Sequence, residues 1–115
     1  MPYSRGDVVL VLFPDSNLRT AKRRPALVVQ ANNLRTGLAQ SIIAMITSNM
    51  ARVPHPSRVQ LLLNSPEGKQ AGILMDSIVM TDNLATVCEI EIDRALGSLS
   101  DMSAIDRALR HTLAL

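Results

Sequence analysis

The segment KRRPALVVQ, Lys22 to Gln30, places three adjacent cations directly before a proline and an apolar, valine-containing run. Valine is favoured in strands because its branched side chain packs well on a pleated surface, so Ala26 to Gln30 is predicted to be a strand. Pro25 fixes its own φ and biases the preceding residue towards extended geometry. We therefore expect Arg24 at the beginning of a strand, held in place by it.

Other apolar runs have the same character, and turn residues such as glycine, proline and asparagine bound them. Runs of about four to eight apolar residues between turn signals are typical of buried strands. The further predicted strands are Val8 to Phe13, Ser41 to Thr47, Val59 to Leu63 and the SIVM run inside Ile73 to Leu84, with Ala85 to Val87 as its candidate extension. The polar segments Phe13 to Pro25 and Ser48 to Ser57 are predicted to be long loops.

The end of the chain changes from strand-like to helical spacing. One face of a helix, repeating about every 3.6 residues, would carry Met102, Ile105, Leu109, Thr112 and Leu113. Ser100 or Asp101 can cap this helix, and Asp93 to Leu96 is predicted to be a short helical turn that Gly97 ends. The pattern indicates a single domain over residues 1–115, of mainly β class (β-rich α+β). We expect a small antiparallel barrel of five or more strands with a C-terminal helix.

The charge of the chain is mildly basic but unevenly distributed. The formal net charge of +2 does not by itself imply a nucleic-acid partner. Four of the twelve cations, Arg19, Lys22, Arg23 and Arg24, fall within six residues that contain no acid. Because arginine presents a planar fork of donors that suits phosphate oxygens, this cluster is a candidate anion-binding site. The alternative, which composition alone favours slightly, is a solvated loop that keeps the surface soluble.

Uncharged hydrogen-bonding side chains gather where the third predicted strand ends. Thr47, Ser48 and Asn49 follow one another there, and the ends of neighbouring strands in a small sheet can meet. Arg24 and Thr47 could then hold the oxygens of one phosphate. In the second loop, His55 lies between two prolines and could titrate near neutral pH; the alternative for it is an idle, exposed side chain.

Several classes of function are disfavoured by what the sequence lacks. One cysteine and two separated histidines do not form a metal site, and there is no glycine-rich phosphate loop, so neither a metal nor a cofactor is expected. The lone cysteine cannot form an internal disulfide, which favours a reducing compartment. There is no signal-peptide pattern and no apolar run near the ~18 residues of a membrane span. A cytoplasmic protein without a membrane segment is therefore expected.

Four segments, in their order along the chain, carry a resemblance to a known family. RGDVVLVLFP, KRRPALVVQ, SIIAMITS and DSIV follow one another before the amphipathic C-terminal helix. Together they resemble the MazF/PemK toxins of type II toxin–antitoxin systems over nearly the whole chain. The most specific pieces are Arg5-Gly6-Asp7, the Arg24-Pro25 step and the strand ending in Ile46-Thr47-Ser48.

This resemblance implies an SH3-like barrel that forms a homodimer and cuts single-stranded RNA, such as mRNA, at short sequences without a metal. It assigns the catalytic arginine to Arg24 and the catalytic threonine to Thr47, and Asp82 matches an aspartate that some members use. The 2′-hydroxyl of RNA would attack the adjacent phosphorus, giving a 2′,3′-cyclic phosphate and a 5′-hydroxyl. Asp82 or His55 could take the 2′-proton on charge grounds, and the choice between them stays open.

The implied partners are single-stranded RNA and a cognate antitoxin, whose acidic, largely disordered tail would suit the basic segment. The expected RNA contacts are Arg19, Lys22 and Arg23 along the backbone and Ser48, Asn49 and Arg52 at base edges. The chain lacks the glutamate that many members carry in the first loop, and Ala85 stands where many carry an arginine. Two alternatives stay open: a same-fold, non-enzymatic toxin of the gyrase-inhibitor kind, and a degenerate member that only binds its antitoxin.

Overall fold

A six-stranded antiparallel sheet and two helices form the part of the chain that the computed structural model describes, residues 3–14, 19 and 21–115. The strands are β1 (Asp7–Pro14), β2 (Ala21–Val28), β3 (Gln40–Thr47), β4 (Arg58–Leu61), β5 (Ser77–Cys88) and β6 (Ile92–Ser98). The helices are α1 (Pro66–Ala71) and α2 (Ser103–Leu113). The strand order is β4-β5-β3-β2-β1-β6, so the valine-containing strand β2 lies in the middle of the sheet. The mainly β class and the C-terminal helix are confirmed.

Side chains from both faces of the central strands are buried, which explains why their apolar runs are continuous rather than alternating. In β1, Val8 packs in one cluster and Val9 in another, because neighbouring side chains point to opposite faces. Ile105 of α2 completes the first cluster, so the C-terminal helix covers one face of the sheet. The second cluster consists of Val9, Val11, Ala26, Val28, Ile43, Val87 and Ile92.

The three adjacent cations lie inside β2, which corrects the prediction that they belong to a loop. The hairpin with β1 extends to Pro14, and in it Arg23 pairs with Leu12 and Arg24 pairs with Val11. Lys22, Arg23 and Arg24 are all exposed, so their charges stay hydrated while their backbone is held in the ladder. The rest of the predicted first loop, residues 15–18 and 20, lies outside the described residues.

The segment Asp93 to Leu96 is part of strand β6 and not the predicted helical turn. It pairs with the outer edge of β1, where Ala95 lies opposite Val9 and Arg94 opposite Leu10. A free strand edge satisfies backbone groups that a short helical turn would leave unpaired, so tertiary pairing decides the conformation. Similarly, β4 ends at Leu61, before the predicted Leu63, and the leucines that follow it are exposed.

Helix α1 was not predicted, although its start carries a recognisable signal. The hydroxyl of Ser65 caps the helix by accepting from the Gly68 N–H at 3.0 Å, and Pro66 follows at the first helical position. Helix α2 begins after Met102, so Ser100 is not its cap. Asp101 nevertheless accepts from the Ser103 N–H at 3.0 Å, which supports the first turn.

Two glycines let α1 approach the sheet closely. A Cβ built at Gly97 of β6 would lie 2.3 Å from the Gln70 carbonyl oxygen of α1, too close for any side chain. Gly72 ends α1 at φ 73° and faces the Leu96 carbonyl in the same way. The segment after α1 is therefore held against β6.

The Arg5-Gly6-Asp7 motif joins the N-terminus to α2 and β2. The Arg5 guanidinium donates to the Val29 carbonyl at 3.0 Å and to the Asp106 carboxylate at 2.6 Å. The Gly6 N–H donates to the Val28 carbonyl at 2.8 Å. These contacts assign the motif a structural role.

Candidate active site and nucleic-acid interface

Arg24 and Thr47 lie on one groove, which we call the cationic groove. It has a volume of about 340 Å³, and its polar lining comprises Arg23, Arg24, Thr47, Ser48 and Ser77. The sheet register explains the meeting. Ala26 of β2 pairs with Met45 of β3, and two residues further along each strand come Arg24 and Thr47. The predicted juxtaposition of these two side chains on one surface is thus confirmed by geometry, while their catalytic roles stay a prediction.

Much of the lining of the cationic groove is apolar, and the sequence did not predict this. Ile73, Leu74 and Met75, from the segment between α1 and β5, contribute to it, and we call these three residues the apolar wall. Leu74 is 87% exposed and Met75 54% exposed, so two large apolar side chains face solvent beside the arginines. In the sequence, these residues form a short apolar run directly after Gly72, the residue that ends α1. Such a run is typical of a strand, so the sequence alone does not indicate a groove wall.

The hydroxyl of Thr47 is oriented by its own turn. Its Oγ1 accepts from the Asn49 N–H at 3.1 Å, so the hydroxyl hydrogen remains available to donate into the groove. Asn49 in turn caps the short 3-10 helix Met50–Arg52, where its side-chain oxygen accepts from the Ala51 N–H at 3.2 Å. Ser48 lines the groove, whereas Asn49 and Arg52 do not line it.

The cations of β2 differ in how far they are neutralised. Arg23 pairs with Asp93 of β6 at 3.2 Å, and the same carboxylate contacts Arg94 at 3.2 Å. Within the described part of the chain, Arg24 and Lys22 form no ion pair. Nor do the described lining residues of the groove include any acid. Arg24 therefore presents an uncompensated guanidinium, which favours binding of an anion there.

The predicted residues Asp82, His55 and Arg52 lie in a second polar cluster and do not line the cationic groove. Asp82 accepts from Arg58 at 2.8 Å, and Arg58 also donates to the Arg52 carbonyl at 2.8 Å. The hydrogen bond from Arg58 lowers the pKa of the Asp82 carboxyl below its ordinary value. A carboxylate of lowered pKa is a weaker base, so its contact with Arg58 disfavours Asp82 as the proton acceptor.

The two histidines, far apart in sequence, meet in this second cluster. The rings of His55 and His111 lie edge to face with centroids 6.1 Å apart, and His55 Nδ1 accepts from the Ser57 N–H at 3.1 Å. Among the described residues, no group of three or more His, Cys, Asp or Glu side chains could hold a metal ion.

The exposed cations Arg19 and Lys22 do not line the cationic groove.

The fold and the groove define a small, mainly-β protein with an arginine and a threonine on one groove. Residues 4–113 match the family of PemK-like, MazF-like toxins of type II toxin–antitoxin systems. The chain belongs to this family, as its sequence motifs indicated. No described helix is long and apolar enough to cross a membrane.

Known relatives and solved structures agree with this assignment. The chain is 33% identical to the endoribonuclease MazF6 of Mycobacterium tuberculosis over 119 residues, covering 100% of both proteins. It is 27% identical to the endoribonuclease EndoA of Bacillus subtilis over 118 residues, covering 100% of this chain and 97% of EndoA. In fold it resembles a mycobacterial endoribonuclease solved with its cognate antitoxin (TM-score 0.74, 23% identity, covering 98% and 96% of the two chains). A MazE-MazF structure from Deinococcus radiodurans is equally similar (TM-score 0.74, 17% identity, covering 100% and 98%).

Proposed function

We propose that this toxin is a metal-independent endoribonuclease that cuts single-stranded RNA at the cationic groove. The observation that carries the proposal is the meeting of Arg24 and Thr47 on one groove without an acid in its described lining. The names of the relatives MazF6 and EndoA, both endoribonucleases, support the same activity. The proposed substrate is therefore RNA, and the proposed location of the protein is the cytoplasm.

The reaction uses the nucleophile that RNA itself carries. Attack of the 2′-hydroxyl on the adjacent phosphorus forms a 2′,3′-cyclic phosphate and breaks the bond from phosphorus to the 5′-oxygen, which takes up a proton from water and leaves as a 5′-hydroxyl. Arg24 stabilises the extra negative charge of the transition state through forked, charge-assisted hydrogen bonds. Thr47 donates its hydroxyl hydrogen to a non-bridging oxygen. Because the described lining holds no carboxylate or imidazole, the groove acts by positioning and by charge stabilisation, and the 2′-proton leaves to a group outside it.

The apolar wall supplies a surface for bases in a chain with only one tyrosine and one phenylalanine. Leu74 and Met75 line the same groove as the arginines, so a strand whose phosphate binds Arg24 would lay a neighbouring base against them. The same pairing of cations and apolar side chains suits an antitoxin tail that is acidic and carries apolar residues. The proposed partners are therefore RNA and an antitoxin that compete for one groove.

Cleavage in the presence of EDTA tests the proposal. Purified protein should cut a long single-stranded RNA in excess EDTA and leave cyclic phosphate ends, because in the proposed chemistry Arg24 and Thr47 stabilise the transition state without a metal ion. The measurement is end mapping together with mass spectrometry of the termini. An absolute requirement for Mg²⁺, or intact RNA alongside tight antitoxin binding, would contradict it, and the latter would favour the non-enzymatic alternative.

Asp93→Asn should release Arg23 for a phosphate. The pair is largely exposed (side chains 63% and 35%), so its loss should tighten binding of a non-cleavable RNA only about two- to fivefold. The dependence of log affinity on log salt should steepen by about 0.7, the value for one more phosphate contact on a single strand.

Lys22→Ala should flatten the same slope by a similar amount without moving the cleavage site. Affinity measured across a salt series checks both, with the exposed Glu67→Gln of α1 as control; slopes that stay unchanged would remove Lys22 and Arg23 from the RNA path.

A homodimer is the proposed assembly. Exposed apolar side chains, among them Leu62, Leu63, Leu113 and Leu115, remain uncovered in the single chain, and two-fold dimers are the commonest closed oligomers. Sedimentation at micromolar concentration should give twice the 12.5 kDa mass of the chain. A monomer mass under those conditions would refute the dimer.

A further inference from the structure

A second cavity lies at the other end of the sheet from the cationic groove. It has a volume of about 330 Å³ and lies between the segment that follows β2 and the turn that precedes β6. We call it the amide pocket. The lining residues on which the inference rests are Gln30, Asn32, Arg35, Leu38 and Glu89. Gln30 follows Arg24 by six residues, which is about 20 Å along an extended chain. The pocket is therefore separate from the site of cleavage.

Three residues that line the amide pocket carry hydrogen-bond donors from which no described residue accepts. Gln30 is only 9% exposed, and its side-chain oxygen accepts from the Ile42 N–H at 3.2 Å. The side-chain oxygen of Asn32 accepts from the Arg5 N–H at 2.7 Å. Each amide is fixed through its oxygen, so its NH₂ group is left over, and no described residue accepts from it. Arg35 likewise has no acceptor or ion-pair partner among the described residues.

An unused acceptor belongs to the same pocket. Glu89 begins the short 3-10 helix Glu89–Glu91. Its N–H donates to the Ala39 carbonyl at 2.9 Å, which joins this helix to the segment that follows β2. Its carboxylate oxygen Oε1 is covered by protein and has no hydrogen-bond partner. A buried carboxylate oxygen without a donor is unfavourable. Because the last torsion of a glutamate is soft, this carboxylate can turn to meet a ligand in the pocket.

The chemistry of the pocket selects against simple ions. A phosphate would satisfy Arg35 but would face the charge of Glu89, and an ammonium would satisfy Glu89 but face Arg35. A neutral, planar ligand with a donor edge and an acceptor edge satisfies both. Nucleobases with an exocyclic amino group have this form, and Leu38 offers their faces an apolar contact. Guanine fits best, since two adjacent N–H groups match a carboxylate and its O6 and N7 accept from arginine.

We infer that the amide pocket binds a nucleobase that carries an exocyclic amino group, guanine above all, through Glu89 on one edge and Arg35 with the amides of Gln30 and Asn32 on the other. The inference does not depend on the cleavage chemistry. The base can come from a free nucleotide or from a strand of RNA, and the two sources are separated below.

Equilibrium dialysis of the full chain with 5′-GMP and 5′-UMP tests the inference. Both nucleotides carry the same phosphate, so the contribution of the phosphate to binding cancels in the comparison, and Glu89→Gln assigns the remaining preference to the amide pocket. GMP should bind at least about tenfold more tightly than UMP, the discrimination that one good bidentate contact provides. Glu89→Gln should reduce GMP binding to the level of UMP, while Glu67→Gln, an exposed glutamate of α1, should leave the preference intact.

Arg35→Ala gives a second variant on an exposed segment, which decides the matter should Glu89→Gln not fold. It should lower GMP affinity severalfold and leave UMP unchanged. Equal binding of the two nucleotides by the wild-type protein, or a GMP preference that Arg35→Ala leaves undiminished, would overturn the inference. Displacement of bound GMP by a non-cleavable guanine-containing RNA, but not by an all-uridine strand of equal length, would identify RNA as the source of the base. Simultaneous binding of GMP and the guanine-containing strand would identify the free nucleotide.

Discussion

Arg24→Ala is expected to slow RNA cleavage about 10²–10³-fold, the usual cost of removing one preorganised electrostatic contact from a transition state. The reason is that Arg24 is a cation of the groove without an acidic neighbour, whereas Arg23 beside it already contacts Asp93. Single-turnover cleavage of a defined RNA measures the effect. Arg24→Lys should recover only part of the rate, because a lysine keeps the charge and loses the planar fork.

Thr47 should act together with Arg24. Thr47→Val removes the hydroxyl at nearly constant volume, and Thr47→Ser keeps it, so the pair separates chemistry from packing. Losses for the double variant should be smaller than the product of the single losses, since residues that act as one unit are not additive. Arg107→Ala, an exposed arginine on α2, is the control. Full activity of Arg24→Ala with loss of activity in Arg23→Ala would show that the wrong arginine had been assigned.

Gly97→Ala is expected to destabilise the fold. Its new Cβ would lie 2.3 Å from the Gln70 carbonyl oxygen and 2.6 Å from the Ala71 carbonyl carbon, and both are backbone atoms that cannot rotate away. Overpacking of this kind costs about 1–3 kcal/mol of unfolding free energy. Urea unfolding measures it, with Ala95→Ser at an exposed site of the same strand as control.

The same variant should also weaken RNA cleavage under conditions where it remains folded. Helix α1 would have to move away from β6, and the wall formed by Ile73, Leu74 and Met75 follows α1 directly. An unfolding midpoint equal to that of the wild type would show that α1 can move away from β6 without loss of stability. The close contact of Gly97 with α1 would then not contribute to the stability of the fold.

The strands could be predicted from the sequence wherever burial alone decides them. Val8 to Phe13 and Ser41 to Thr47 are apolar enough that any packed arrangement makes them strands, and both are strands. Strand β6 could not be predicted, because Asp93 to Leu96 has little strand character and is extended only through pairing with β1. Lys22, Arg23 and Arg24 of β2 are likewise extended because they pair with β1.

The candidate site divides along similar lines. Arg24 and Thr47 were brought together by reasoning about where strands end, a local argument that the register supports. Leu74 and Met75 join the groove only because glycines seat α1 on β6, and no local pattern reports such a contact. Asp82 was predicted from resemblance alone, and its pairing with Arg58 depends on the neighbouring strand β4.

The position of the cations within β2 has a kinetic consequence. Arg23 and Arg24 are held by ladder pairing with β1, so their backbone is already arranged before any ligand arrives. In this hairpin, as far as the structure describes it, no folding or ordering step then precedes the first turnover. For a toxin built in this way, the delay between loss of its antitoxin and the onset of damage equals the time the antitoxin takes to dissociate, and a cell can lengthen that delay only by making the complex longer-lived.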